Sequence, residues 1–267
     1  MSTNPVILVT GASSGIGAAT ARLFGREGYR VAMGARRLER LEQLAKEIEA
    51  GGGQALAIAA DLARLDDIHN LVNRALHQYG QIDVLFNNAG FGRLDWLENL
   101  DPLRDIEDQL RVNLIALIET TQAVLPHMIA RRSGHIVNMS SIAGLVATPT
   151  YSVYSAGKFA VRGFSEALRR EVGVYGIRVS VIYPGGVRTE FAERAKIKRK
   201  TRKTTPASLR LDPEQVAQAV LGVVRRPRRG VILPLPMRLA VWFNALLPGV
   251  GDWIIEQRFT KPERRED

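Results

Sequence analysis

The sequence predicts an α/β fold built on a doubly wound parallel sheet of about seven strands, in three layers, with an apolar C-terminal extension. Short β-branched runs alternate with amphipathic helical stretches from the start of the chain, the pattern of a Rossmann-type sheet whose crossovers lay helices on both faces. A glycine-rich turn joins the first such run to the first helix. The 267 residues, 46% hydrophobic and 24% charged, suffice for one large core, and no Pro/Gly/Ser-rich linker divides the first ~190. The expected organisation is one domain over residues 1–236 and an extension over residues 237–267.

Strands are expected at Val6 to Thr10, Tyr29 to Ala35, Ala55 to Ala60, Ile82 to Asn87, His135 to Ser140, Arg178 to Tyr183 and Gly230 to Leu233, each bounded by turn or polar residues. Helices lie between them. Leu38, Leu41, Leu44, Ala45 and Ile48 recur at helical spacing, as do Ile68, Leu71, Val72, Ala75, Leu76 and Tyr79.

The first strand runs into Thr10-Gly11-Ala12-Ser13-Ser14-Gly15-Ile16-Gly17 and then a helix. Glycines allow a tight turn and close backbone approach, and a helix N-terminus offers unpaired N–H groups to an anion, so Gly11, Ser13, Ser14, Gly15, Ile16 and Gly17 suit a pyrophosphate. An ordinary glycine-rich turn is the alternative. After the second strand comes Ala35-Arg36-Arg37, where a reader of a ribose 2′-hydroxyl would place a carboxylate. Guanidinium groups there favour a 2′-phosphate, hence NADP(H) over NAD(H). The alternative is a basic first helical turn facing water. Asp61, with Leu62 beside it, follows the third strand, where the carboxylate either accepts from an adenine amino group or caps the next helix. Asn87-Asn88-Ala89-Gly90 closes the fourth strand, with Asn88, Ala89 and Gly90 small or amide-bearing enough to let a cofactor approach the backbone.

Chemistry concentrates further along. Ser141 stands at the end of the fifth strand, Tyr154 thirteen residues on, and Lys158 one helical turn after that, so phenol and ammonium share a helix face. A phenol of pKa ~10 is a poor base at neutral pH, and a nearby cation favours the phenolate. Tyr154 is therefore read as general acid in reduction and general base in oxidation, with Ser141 hydrogen-bonding the carbonyl oxygen. Tyr151 competes for the role, but residue 155 is Ser and no Lys stands four positions after Tyr151. Asn113 either holds a water leading to Lys158 or satisfies backbone groups as a buried amide. The Pro-Gly turn over Pro184, Gly185, Val187 and Thr189 either brings backbone and hydroxyl groups to the nicotinamide amide or simply ends the sixth strand.

These motifs, in this order over roughly residues 5 to 233, resemble the short-chain dehydrogenase/reductase family in its single-domain branch. Thr10 to Gly17 looks like the family's cofactor loop, Asn87 to Gly90 like its NNAG motif, Asn113, Ser141, Tyr154 and Lys158 like its catalytic tetrad, and Pro184 to Thr189 like its PG motif. The resemblance implies hydride transfer between a nicotinamide and an alcohol or carbonyl carbon. It also implies that Lys158 holds the nicotinamide ribose, that Asn113 completes a proton relay, and that the chain forms a homodimer or homotetramer on the helices around Asn113 and Tyr154. Many NADP-preferring relatives carry a basic residue just before the loop's second glycine, where this chain has Ser14, which leaves the preference to Arg36 and Arg37.

Substrate is expected beside Ser141 and Tyr154, against Leu145, Val146 and Tyr151 of an uncharged segment, with Phe91 and Trp96 adding apolar surface. A hydrophobic ketone or secondary alcohol fits such a wall. A lid is expected at about 190–210, containing the run from Arg194 to Lys203 with seven basic residues in ten. That charge suits an acyl carrier protein or coenzyme A ester, which keeps a 3-oxoacyl-carrier-protein reductase in view. A non-catalytic dinucleotide sensor has no need of the phenol–ammonium pair.

The net charge of +10 is concentrated late. Residues 1–187 hold 19 basic and 18 acidic side chains, whereas residues 188–267 hold 18 and 9. With no nucleic-acid motif beside it, that excess suits acidic partners or an anionic membrane surface. The stretch Leu239 to Leu247 and then Trp253-Ile254-Ile255, both apolar and flanked by Arg, either form an interfacial membrane foot or pack on the protein. A similar apolar tail occurs in membrane-associated hydroxysteroid dehydrogenase-like members. No run of 18 apolar residues and no signal segment is present, so a cytoplasmic protein, peripheral at the membrane if the foot is real, is expected. The absence of cysteine excludes disulfides, thiolate nucleophiles and Cys-ligated zinc, and no metal is expected.

Overall fold

The computed structural model describes residues 4–195 and 206–264. Seven strands form one parallel sheet in the order β3-β2-β1-β4-β5-β6-β7. They are β1 (Val6–Thr10), β2 (Arg30–Ala35), β3 (Gln54–Ala59), β4 (Val84–Asn87), β5 (Gly134–Met139), β6 (Ile177–Pro184) and β7 (Gly230–Leu233), each within two residues of its expected bounds. The chain reverses direction across the sheet after β3, and β4 returns to pair with β1. A crevice therefore opens beyond the carboxyl ends of β1 and β4, where ligands of such sheets bind.

β1 is buried along its whole length because both its faces are covered, and its side chains divide by alternation. Ile7 and Val9 join a core with Phe24, Met33 and Val220, under α1 (Gly15–Arg26), α2 (Leu38–Ala50) and α7 (Pro213–Arg225). Leu8 faces the other way, into a core with Leu71, Leu85, Val124 and Leu168, under α3 (Leu65–Tyr79), α4 (Pro102–Arg131) and α5 (Ser152–Val172).

α4 starts where Asp101 accepts from the N–H groups of Leu103 (3.1 Å) and Arg104 (2.8 Å) ahead of Pro102. By length and composition it is apolar enough to cross a membrane, yet Leu117, Thr121, Val124 and Met128 bury its inner face on the sheet side. Its turn Arg111–Ile115 is a π-helix. The wider turn carries Asn113 into the interior, where it is 1% exposed.

After β7 the chain forms α8 (Met237–Leu246) and α9 (Pro248–Ile255), with α6 (Glu190–Arg194) and α10 (Lys261–Arg264) completing the helices used below. Arg264 returns to the body, stacking 3.7 Å over the Trp96 ring and pairing with Glu98. The outer side of α8 and α9 leaves Trp242 62% and Leu246 77% exposed, with Leu239 and Trp253 beside them.

Candidate active site

A cleft of about 1690 Å³ opens at the β1–β4 crevice. Single-ligand pockets usually hold ~300–1,000 Å³, so this one has room for a dinucleotide and a substrate together. At one end stands the β1–α1 loop. Gly11 has φ +67°, and a Cβ there would lie 2.7 Å from the Ala89 Cα, so only bare backbone lets this loop meet the end of β4. The contact is locked from the β4 side: the Thr10 hydroxyl accepts from the N–H groups of Asn88 (3.0 Å) and Ala89 (3.2 Å), and the Asn88 amide donates to the Thr10 carbonyl at 3.0 Å. Ser14, the N-cap residue of α1, makes no side-chain cap, so the first N–H groups of this helix are left for an anion. Bare glycine backbone and an uncapped helix start facing the cleft fit a pyrophosphate.

Arg36 and Arg37 rim the same end. Arg36 is exposed, whereas the Arg37 guanidinium donates to the Ser13 (3.0 Å) and Ser14 (2.9 Å) hydroxyls and pairs with Glu190 at 3.3 Å. Two guanidinium groups beside loop hydroxyls fit a phosphate.

At the other end lie Ser141, Tyr154 and Lys158. The Ser141 hydroxyl accepts from the Ala143 N–H at 3.1 Å and donates to the Pro184 carbonyl at 3.4 Å. The Lys158 ammonium donates to the Met139 carbonyl at 2.9 Å and sits 5.7 Å from the centre of the Tyr154 ring. Behind it, the Ser140 hydroxyl donates to the Lys158 carbonyl at 3.0 Å, fixing α5 on the end of β5. Burial pushes the Tyr154 phenol above its ordinary value, with Ser141 pulling the other way, and pushes Lys158 down to about 8. The sequence led us to expect a cation-lowered phenol; in the protein without cofactor, burial raises it instead.

Asn113 accepts from the Phe91 N–H at 2.9 Å and donates to the Phe91 carbonyl at 2.8 Å, bracing the segment after β4. A Cβ on Gly90 would lie 2.9 Å from the Asn113 Oδ1 and 3.7 Å from the Lys158 Nζ, so Gly90 is what lets the two approach.

The cleft is lined by all but three of the expected cofactor and substrate residues, including Ile16, Leu62, Pro184, Gly185, Val187, Thr189, Val146 and Tyr151. Gly17 lies behind the loop, against the Gly11 carbonyl and the Asn88 amide. Leu145, which ends the short 3₁₀ turn Ile142–Gly144, is outside the cleft. Phe91 lines the cleft, but Trp96 does not, being held under Arg264. Asp61 does not cap α3, whose N-cap is Arg64; its carboxylate accepts from the Ala63 N–H at 3.1 Å in a local turn. Of the expected lid, residues 196–205, with all the run from Lys196 to Lys203, lie outside the described residues.

Sequence reasoning missed Glu190 and Phe191, which follow Thr189 into α6, and Met237, Ile255 and Phe259 from the extension, all of which line the cleft. Phe191 packs on Tyr154 with ring centres 5.6 Å apart. The position after Thr189 pointed to the first pair, whereas no local pattern marks the other three.

A family model described as short chain dehydrogenase matches residues 5–200. An uncharacterized oxidoreductase of Listeria monocytogenes is 37% identical over 228 residues, covering 84% of this chain and 92% of its own. The 3-oxoacyl-[acyl-carrier-protein] reductase FabG of Thermotoga maritima is 37% identical over 220 residues, covering 81% and 88%. Among solved structures, a short-chain dehydrogenase from Sphingobium yanoikuyae in complex with NADPH is 31% identical with a TM-score of 0.79, covering 94% of this chain and 95% of its own. A short chain dehydrogenase/reductase from Burkholderia phymatum in complex with NAD, 22% identical, shares the fold with a TM-score of 0.83, covering 94% and 97%.

Proposed function

The chain belongs to the short-chain dehydrogenase/reductase family of nicotinamide-dependent oxidoreductases, and from that premise we propose that it interconverts a hydrophobic ketone and its secondary alcohol with NADP(H). The observation that carries the reading is one cleft with Ser141, Tyr154 and Lys158 at one end and two arginines beside a glycine loop at the other.

A bound nicotinamide supplies the hydride in reduction and accepts it in oxidation. Gly11, Ser13, Ser14, Gly15 and Ile16 would hold the pyrophosphate, Arg36 and Arg37 a 2′-phosphate, Asp61 and Leu62 the adenosine end, and Asn88, Ala89, Gly90, Pro184, Gly185, Val187 and Thr189 the remainder. The Ser141 hydroxyl donates to the substrate oxygen and stabilises the charge that builds there. Tyr154, whose phenol burial holds above its ordinary value, gives its proton to that oxygen in reduction. Lys158 sets the field around the phenol, and Asn113 holds the Phe91 segment so that Gly90 and Lys158 stay in register. Val146, Tyr151, Phe91 and Phe191 present an apolar wall to substrate, and Met237 of the extension adds to it.

The preference for NADP(H) rests on Arg36 and Arg37. The catalytic unit is read as residues 1–236, the assembly as a homodimer or homotetramer, and the setting as cytoplasmic. The apolar outer side of α8 and α9, with Arg238 and Arg258 close in sequence, supports peripheral contact with an anionic membrane. A 3-oxoacyl-carrier-protein reductase is a second reading, favoured by the basic run and by the Thermotoga relative.

The test is consumption of NADPH with decalones, steroids, short ketones and acetoacetyl thioesters. Turnover of the bulky apolar ketones supports the leading reading. Turnover confined to the thioesters overturns it in favour of the second.

A further inference from the structure

Glu190 sits among three guanidinium groups. Its carboxylate meets Arg40 at 2.7 Å and Arg37 at 3.3 Å, and it also pairs with Arg194 one turn along α6. Those cations keep its carboxyl below the usual range. The remaining donors of Arg37 are already directed at the Ser13 and Ser14 hydroxyls of the glycine loop. With Nε and Nη2 on the serines and Nη1 on Glu190, a 2′-phosphate approaching Nη1 meets the Glu190 carboxylate, and the two anions compete for that end of the guanidinium. The carboxylate is the natural partner to leave, because it carries the like charge.

We propose that Glu190 is a cofactor-specificity residue: an internal anion that competes with the 2′-phosphate of NADP(H) for Arg37 and Arg40, and so sets how strongly the protein discriminates NADP(H) from NAD(H). The inference rests on the phosphate reading of Arg37. Glu190 belongs to the segment that crosses the cleft, since Thr189 just before it lies against Gly15 and Phe191 just after it packs on Tyr154. The competition therefore takes place on the path between the two ends of the site.

The experiment is equilibrium binding of NADPH, NADH and the fragment adenosine 2′-monophosphate to the full chain and to Glu190→Gln, which keeps the shape and removes the charge. Glu190 is partly exposed, its side chain at 37%, so screening limits the effect, and NADPH should bind roughly two- to five-fold tighter. The fragment should follow NADPH, and NADH should not change. Weaker NADPH binding, or equal changes for NADPH and NADH, would overturn the proposal. Arg37→Ala, measured alongside, separates it from its premise. A selective loss of NADPH binding in Arg37→Ala with parallel changes in Glu190→Gln sinks the Glu190 role alone. Equal losses of both cofactors in Arg37→Ala sink the phosphate reading and the Glu190 role with it.

Discussion

Lys158 is 4% exposed, and among the described residues its ammonium has one acceptor, the Met139 carbonyl. Burial lowers its pKa from 10.5 to about 8, a difference between folded and unfolded chains that must appear as pH-dependent stability. Below about pH 8 both states carry the proton, and the full cost of burying the charge weighs on the fold. As pH rises from about 8 towards 10.5 the folded chain releases the proton while the unfolded chain keeps it. The unfolded state then binds more protons, so stability rises with pH. From pH 7 to pH 10 the gain is roughly 2–3 kcal/mol, about two pKa units at ~1.4 kcal/mol each. Tyr154 acts in the opposite sense, since its raised pKa makes stability fall above the ordinary phenol value near 10, so the window closes at pH 10. Lys158→Met removes the titration and keeps the apolar stem. Urea unfolding of wild type and variant without cofactor, at pH 7 and at pH 10, isolates the difference from all other titrating groups. Wild type should gain those 2–3 kcal/mol relative to the variant. Stability curves that run parallel across this range would refute the buried-ammonium account.

Three further changes probe the rest of the site and the extension. Arg36→Ala combined with Arg37→Ala should weaken NADPH by roughly 10- to 100-fold, the worth of lost charge-assisted hydrogen bonds, with NADH little affected; equal losses on titration count against a phosphate grip. Gly90→Ala drives a methyl group to 2.9 Å from the Asn113 Oδ1, so it should break the Asn113–Phe91 pair, cost about 1–2 kcal/mol in urea unfolding and lower kcat; wild-type kcat would remove Asn113 from the account. Trp242→Asp with Leu246→Asp should leave the fold intact because both side chains are largely exposed, shift stability by less than about 1 kcal/mol, and abolish co-sedimentation with anionic vesicles; retained sedimentation argues against a membrane-facing surface.

The sheet was legible because its interior strands are buried on both faces and read as continuous apolar runs, as in Val6 to Thr10. That Tyr154 and Lys158 share one cleft was legible because helical spacing puts them on one face, whereas the grouping of Asn113 with them rested on the family resemblance. What escaped the sequence depends on long-range packing. Leu145 shares an uncharged segment with Val146, but only Val146 of the two lines the cleft. Trp96 looked like substrate wall until the returning Arg264, 168 positions later, covered it. Met237, Ile255 and Phe259 reach the cleft only because the extension folds back over its mouth. The direction of the Tyr154 shift is likewise a matter of burial, which residue spacing does not report.

Proton transfer from Tyr154 is the centre of the account, and Tyr154→Phe tests it with one hydroxyl removed and the Phe191 contact kept. NADPH affinity and ketone turnover should be measured on the same preparation. The account predicts an unchanged dissociation constant and a kcat reduced by roughly 10²–10⁴, the usual contribution of general acid catalysis. Turnover near the wild-type rate with cofactor still bound would contradict it.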